Sequence, residues 1–216
     1  MIKESTLNQV NLLIERYPQL EVCRQSLEMA VRAICNCYAH GGKLLVCGNG
    51  GSASDAEHIV GELMKGFIKK RPLTQELYRS LKECCPEEAD YLYKNLQGTL
   101  PAISLMNAVA LNSAFANDQA PDLAMSQQIL GLGKPGDILL GISTSGNSSN
   151  VVYGIQLAKS LGLTTIGLIG NRSCRMKDIC QVAIAVPEEE TYKIQELHLP
   201  VYHMICMAVE NEFFTD

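Results

Sequence analysis

The sequence predicts an α/β fold in which helices cover both faces of a parallel sheet. Five short runs rich in leucine or β-branched residues follow a helical N-terminal stretch: 43–47 (KLLVC), 102–106 (AISLM), 137–143 (DILLGIS), 164–169 (TTIGLI) and 181–186 (QVAIAV). Most of them are apolar throughout, as strands covered on both faces must be. Helical patterns lie between several of these runs, and strand alternating with helix is the sign of a doubly wound sheet.

Taken in order, residues 1–40 read as helix. Val10, Leu12 and Leu13, then Leu27, Ala30, Val31 and Ile34, recur at spacings of three and four, and Pro18 separates two segments. After the first strand comes a helical pattern over 52–67, in which Ile59, Leu63 and Phe67 make an apolar side facing the sheet. More than thirty residues then precede the second strand, too many for an ordinary connection. Within them, 74–97 carries its own helical signals: Leu77 and Leu81, Pro86 as a helix start, then Ala89, Leu92 and Leu96. This is a helical insertion inside a single domain spanning 1–216, either a packing hairpin or a lid. Helical patterns over 148–161 and 190–213 complete the chain.

Composition narrows the function. With 216 residues, 47% hydrophobic and 19% charged, the chain is neither disordered nor collagen-like. Its 18 basic and 23 acidic residues leave a net charge of −5, so no broad positive field exists to hold nucleic acid. No apolar run reaches the roughly 18 residues of a membrane span, and the N-terminus mixes both charges, unlike a signal peptide. The nine cysteines have no zinc-ribbon or CxxC spacing. They read as reduced thiols serving as small apolar residues in a cytoplasmic protein.

Two strand-to-helix turns could hold a small anion. The first, Cys47 to Ala53, contains Gly48, Asn49, Gly50, Gly51 and Ser52. Its glycines permit a sharp turn and its helix start offers unpaired N–H groups, although it matches neither GxGxxG nor a nucleotide phosphate loop. The second places Ser143, Thr144, Ser145 and Ser148, four hydroxyls within six residues, where an apolar strand gives way to a helix. Ligands of open α/β sheets collect at that edge. Hydroxyls and helix N–H groups can together solvate a phosphate without any Arg or Lys. An N-cap with a polar turn explains only one or two of the four.

A second constellation carries acid–base and metal chemistry. His58 and Glu62 are four apart and share a helix face, which taken alone describes a surface ion pair. Gln195 and His203 lie about 80° apart around a helix axis and two turns along it, so both could face one cavity. Together the four give a mixed N/O set suited to Zn²⁺ or a similar divalent ion. His40 and His198 are left as surface or core histidines. Pro200 predicts a kink between Gln195 and His203, or a helix that starts only after Gln195.

These residues in this order resemble the sugar-isomerase (SIS) family and, within it, the phosphoheptose isomerases, which act on sedoheptulose 7-phosphate. The resemblance rests on GNGGSASDAEH (48–58) with Glu62, on AFAND (114–118), on PGDILLGISTSGNSSNV (135–151) and on KIQELH with His203. It implies a five-stranded parallel SIS domain assembled as a homotetramer with active sites between subunits. It places the phosphate loop on Ser143, Thr144, Ser145 and Ser148. Sugar contacts fall on Asn49, Gly50, Gly51, Ser52, Asn117 and Asp118, with Glu62 and Gln195 also at the substrate. It makes His58, Glu62, Gln195 and His203 the zinc ligands, and Glu62 and His203 the acid–base residues. Where the family carries an arginine shortly after the helix glutamate, this chain has Gly66 beside Lys65, and where it carries an aspartate before the glutamine, this chain has Tyr192. The chemistry expected is aldose–ketose isomerisation through an enediolate. The rival expectations are a non-catalytic phosphosugar-binding regulator of the same family and an isomerase for another sugar phosphate.

Overall fold

Strands β1 (Leu44–Gly48), β2 (Ala102–Ser104), β3 (Ile138–Ser143), β4 (Thr164–Ile169) and β5 (Val182–Ala185) pair in parallel in the order β2-β1-β3-β4-β5. The structure is a computed structural model and describes residues 2–215. Successive side chains of each strand point to opposite faces, so one sheet serves two cores. Leu44, Val46, Leu140, Ile166 and Ile184 face α1 (Glu4–Arg16), α2 (Arg24–Ala39), α3 (Gly51–Met64) and α10 (Thr191–Phe213). Leu45, Cys47 and Leu139 face α7 (Ala124–Leu132), α8 (Ser149–Ser160) and α9 (Arg175–Ile179). The doubly wound parallel sheet of the sequence is thus the observed one, and its continuous apolar runs are buried on both sides.

The order of strands positions the site. From β1 the chain goes to β2 on one side and then returns to β3 on the other, so the winding direction switches between β1 and β3. Their carboxyl ends are adjacent, with Gly48 opposite Ile142, and open sheets bind ligands at such a switch point. Both polar turns lie there.

Several expectations need correction. The helix predicted over 52–67 is Gly51–Met64, because the chain turns extended at Lys65; Phe67 lies outside it, packed against the same core and beside the His203 ring. The second strand stops at Ser104, and the stretch before β3 forms α6 (Val109–Asp118) as well as α7. Pro200 neither breaks α10 nor starts it: one helix runs through it. The carbonyl that loses its i+4 partner is that of Glu196, an exposed residue open to water, while buried Ile194, Leu197, Val201 and Tyr202 anchor both halves. The insertion is a hairpin of α4 (Gln75–Cys84) and α5 (Ala89–Asn95) that packs mainly on itself through the Tyr78 and Tyr93 rings and the Tyr78–Asp90 hydrogen bond of 2.6 Å. The cysteines are free thiols, six of them buried.

Candidate active site

The turn after β3 forms the first half of the site. Ser143 Oγ lies 3.1 Å from Ser148 Oγ and 3.5 Å from Ser145 Oγ. Ser148 occupies the N-cap position of α8 without bonding a helix N–H, so its hydroxyl is not used for capping and turns to Ser143 instead. Gly146 has φ +61° and packs on Cys174, whose sulfur a Cβ there would overlap; only glycine closes this turn. A reciprocal amide pair between Asn49 and Asn150, 2.9 Å each way, ties this turn to the one after β1. Between the turns lies a cavity of about 290 Å³ lined by Asn49, Gly50, Gly51, Ser52, Ser143, Thr144, Ser148, Thr191 and Gln195, with no charged side chain among them. Ser145 stands exposed at the outer edge, its Oγ accepting from Asn147 N–H at 3.2 Å.

The second half lies further along α3. His58 Nε2 is 3.1 Å from Glu62 Oε1, and Lys65 donates to Glu62 Oε2 at 3.0 Å. Behind His58, the hydroxyl of buried Tyr202 is 3.0 Å from His58 Nδ1 and 3.2 Å from Asp55 Oδ1. The His203 ring stands edge-on to His58, centroids 5.0 Å apart. Burial, and then the neighbouring His58, lower the His203 pKa against the opposing pull of Glu62. The His203 imidazole is therefore neutral near pH 7, and its buried Nε2 has no hydrogen-bond partner. Burial raises the Asp55 pKa, opposed by the Tyr202 hydrogen bond and by His58.

The two halves share two helices. Along α3, His58 and Glu62 lie about 9 and 15 Å beyond Ser52 at 1.5 Å per residue, and helical side chains lean back toward the N-terminus, here toward the cradle. Along α10, Gln195 and His203 are about 12 Å apart on the same scale. A linear phosphosugar with its phosphate in the hydroxyl cradle can extend its other end toward the carboxylate–imidazole cluster.

The structure does not bring together every expected residue. Gln195 lines the cradle, where its Nε2 closes on Gly51 so tightly that a Cβ would come within 2.7 Å, while His203 lines a different groove with Phe67, Pro200 and Met204. Among the described residues no group of three or more His, Cys, Asp and Glu side chains is arranged to hold a metal ion. Asn117 and Asp118, at the end of α6, bond each other at 2.8 Å, and Asp118 lines a separate groove with Leu111 and Phe115. His40 is exposed and His198 fully buried, as left by the sequence. Sequence reasoning passed over Asp55 and Tyr202. The available signal was helical spacing: Asp55 sits one turn before His58, and Tyr202 two turns after Gln195.

Comparison with known proteins accords with this geometry. The SIS domain pattern matches residues 7–92 and 87–170. The phosphoheptose isomerase of Akkermansia muciniphila is 31% identical over 213 residues, covering 99% of each chain. That of Nitratiruptor sp. is 38% identical over 171 residues, 79% of this chain and 78% of the relative. Among solved structures, a phosphoheptose isomerase from Francisella tularensis superposes with a TM-score of 0.72 at 27% identity, covering 95% of this chain and 98% of that one. The phosphoheptose isomerase of Neisseria gonorrhoeae gives 0.67 at 26% identity, covering 93% and 98%.

Proposed function

The chain belongs to the SIS domain family, among the phosphoheptose isomerases, and is a phosphosugar isomerase; from that premise we propose that it interconverts sedoheptulose 7-phosphate and D-glycero-D-manno-heptose 7-phosphate. The observation that supports this reading is that α3 and α10, which carry the carboxylate–imidazole cluster, also supply Gly51, Ser52, Thr191 and Gln195 to the wall of the cavity that the Ser143, Thr144 and Ser148 hydroxyls line. The cradle on Ser143, Thr144, Ser145 and Ser148 anchors the phosphate, and Asn49, Gly50, Gly51 and Ser52 meet the sugar. Anchoring one end fixes the carbonyl end against the reacting groups.

Glu62 acts as the carbon base. It takes the proton from C1 of the ketose, the electron pair forms the C1–C2 double bond, and charge moves to the C2 oxygen. His203 supplies a proton to that oxygen and receives the one from the C1 hydroxyl, a task for a neutral imidazole with one donor and one acceptor nitrogen. Glu62 then returns its proton to C2, leaving the aldose. The donor types of His58, Glu62, Gln195 and His203 suit Zn²⁺, and the unpartnered buried Nε2 of His203 is an atom in need of such a partner. An ion held by His58, Glu62 and His203 would polarise the carbonyl and stabilise enediolate charge, and Gln195, which lines the cradle, would have to turn toward it to complete the set. We assign the working form to a cytoplasmic homotetramer in which Asn117 and Asp118 of another copy complete the site; exposed Val109, Leu111 and Leu130 on α6 and α7 support an assembly through that face.

Incubation with sedoheptulose 7-phosphate, followed by NMR for the aldose C1 proton, tests the reaction. Glu62→Gln is expected to lower turnover by at least 100-fold while phosphosugar binding survives. Full activity in that variant removes Glu62 from the base role. Metal analysis of the purified protein is expected to find about one zinc per chain; a fully active, metal-free preparation removes the ion.

A further inference from the structure

We propose that Arg71 and Glu210 are positioning residues for the isomerisation, a buried ion pair that locks the end of the helix carrying Glu62 to the helix carrying His203. The proposal deepens the reading of the site given above and rests on it. Neither side chain has meaningful solvent exposure (0% and 1%). Arg71 Nε donates to Glu210 Oε1 at 2.9 Å, while its terminal nitrogens donate to the backbone carbonyls of Leu63 at 2.6 Å and Glu62 at 3.0 Å. The guanidinium also lies over the Phe214 ring, 4.8 Å from its centroid. Glu210 accepts the N–H groups of Phe67 at 2.8 Å, Ile68 at 2.9 Å and Lys69 at 3.1 Å.

The geometry says what the pair does. The last carbonyls of a helix have no partner within it and leave its final turn prone to fraying. Glu62 sits in that final turn, since α3 ends at Met64. Arg71 bonds the carbonyl of Glu62 itself and the one after it, and so holds the backbone from which the base projects. Glu210, at the other end of the pair, is two turns beyond His203 on α10, close to the same face. The same carboxylate gathers three consecutive N–H groups of the segment leaving α3. Base and acid are thereby referred to one rigid joint, although 139 residues separate Arg71 from Glu210. A buried pair is weak support for stability, because apolar replacements often serve as well. The fork onto the Glu62 and Leu63 carbonyls is what an apolar replacement cannot supply.

The test compares wild type with Arg71→Lys, Arg71→Met and Glu210→Gln, using sedoheptulose 7-phosphate and following kcat, KM and Tm. A misplacement of about 1 Å costs on the order of 100-fold in rate. The expectation is therefore a 10- to 100-fold loss of kcat in folded Arg71→Met and Glu210→Gln, with KM within about threefold because the cradle sits at the opposite end of α3. Arg71→Lys, which keeps the charge but not the fork, should fall between them and wild type. Folded variants with lowered Tm but wild-type kcat, or a loss confined to KM, overturn the proposal. So does failure of all three to fold, which would make the pair a folding element alone. If wild type itself leaves sedoheptulose 7-phosphate unchanged, it is the reading of the site that fails; if wild type turns over and the variants match it, only this inference falls.

Discussion

At the scale of single residues, Tyr202 sets the orientation of the cluster. Its hydroxyl meets both His58 Nδ1 and Asp55 Oδ1, and this leaves Nε2 as the nitrogen that faces Glu62. A ring nitrogen held from behind fixes which atom is offered in front, and losing such a partner typically costs 10- to 100-fold in metal affinity or activity. Tyr202→Phe is therefore expected to keep the fold, with a stability change of about 1 kcal/mol, and to lower kcat/KM by about 10-fold. Steady-state kinetics beside a thermal melt checks this; unchanged kinetics would make Tyr202 a packing residue. The four hydroxyls of 143–148 were legible in sequence because they fall within six residues. The Tyr202–Asp55 link was not, because 147 residues separate its ends and a tyrosine on an apolar helix face looks like core. Gly66 has a reason of the same kind. A Cβ there would meet the Lys69 carbonyl at 2.6 Å and Gln97 Oε1 at 2.9 Å, so the arginine expected near that position has no room.

At the scale of elements, strands and their order of appearance were readable because burial on both faces forces continuous apolar runs. Helix ends were less so: α3 stops where Arg71 takes its last carbonyls, a tertiary cause absent from local pattern, and α10 passes Pro200 because tertiary packing holds both sides. The insertion was recognised by its excess length, and its independence follows from what it buries. α4 buries no residue and α5 buries only Ala89. Its ends meet where Gly98 N–H donates to the Arg71 carbonyl at 2.7 Å, and Gln97 holds the Gly66 N–H at 2.7 Å. Excision of residues 74–96, joining Leu73 to Gln97, keeps both contacts and shortens a loop whose closure entropy changes little with length. The shortened chain is expected to fold with a Tm within a few degrees of wild type, a shift of about 1 kcal/mol or less. Circular dichroism and a melt decide it, and a chain that no longer folds would show that the hairpin supports the core. Kinetics on the same chain separate a packing hairpin from a lid, since only a lid takes kcat with it.

At the scale of the whole molecule, the fold class was legible because alternating strands and helices allow few arrangements, whereas the site was legible only in halves. Asn117 and Asp118 belong by resemblance with the cradle, yet within the chain they bond each other and Asp118 lines another groove, a placement that a linear sequence does not disclose. Stability against acid is a property of the molecule as a whole, and its sign follows from the buried groups. His198 is fully buried, and neither ring nitrogen makes a well-formed hydrogen bond. Burial depresses its pKa from 6.5 to about 4, with only a weak opposing pull from the Ile169 carbonyl. Between those values the unfolded chain binds a proton that the native one refuses, so stability is complete above about pH 6.5 and declines as pH falls toward 4, by up to about 1.4 kcal/mol per pH unit. His203, also lowered, acts in the same direction. For Glu210, burial pushes the carboxyl up, but three backbone N–H groups and Arg71 outweigh it and leave the pKa below 4.5; its contribution disappears only in stronger acid. Asp55, raised by burial, works the other way and offsets part of the loss. Urea titrations at pH 7, 6, 5 and 4.5 are expected to give a midpoint that falls through this range, and His198→Asn or His198→Leu is expected to flatten the fall. A midpoint independent of pH in wild type would mean that His198 is not held neutral in the core.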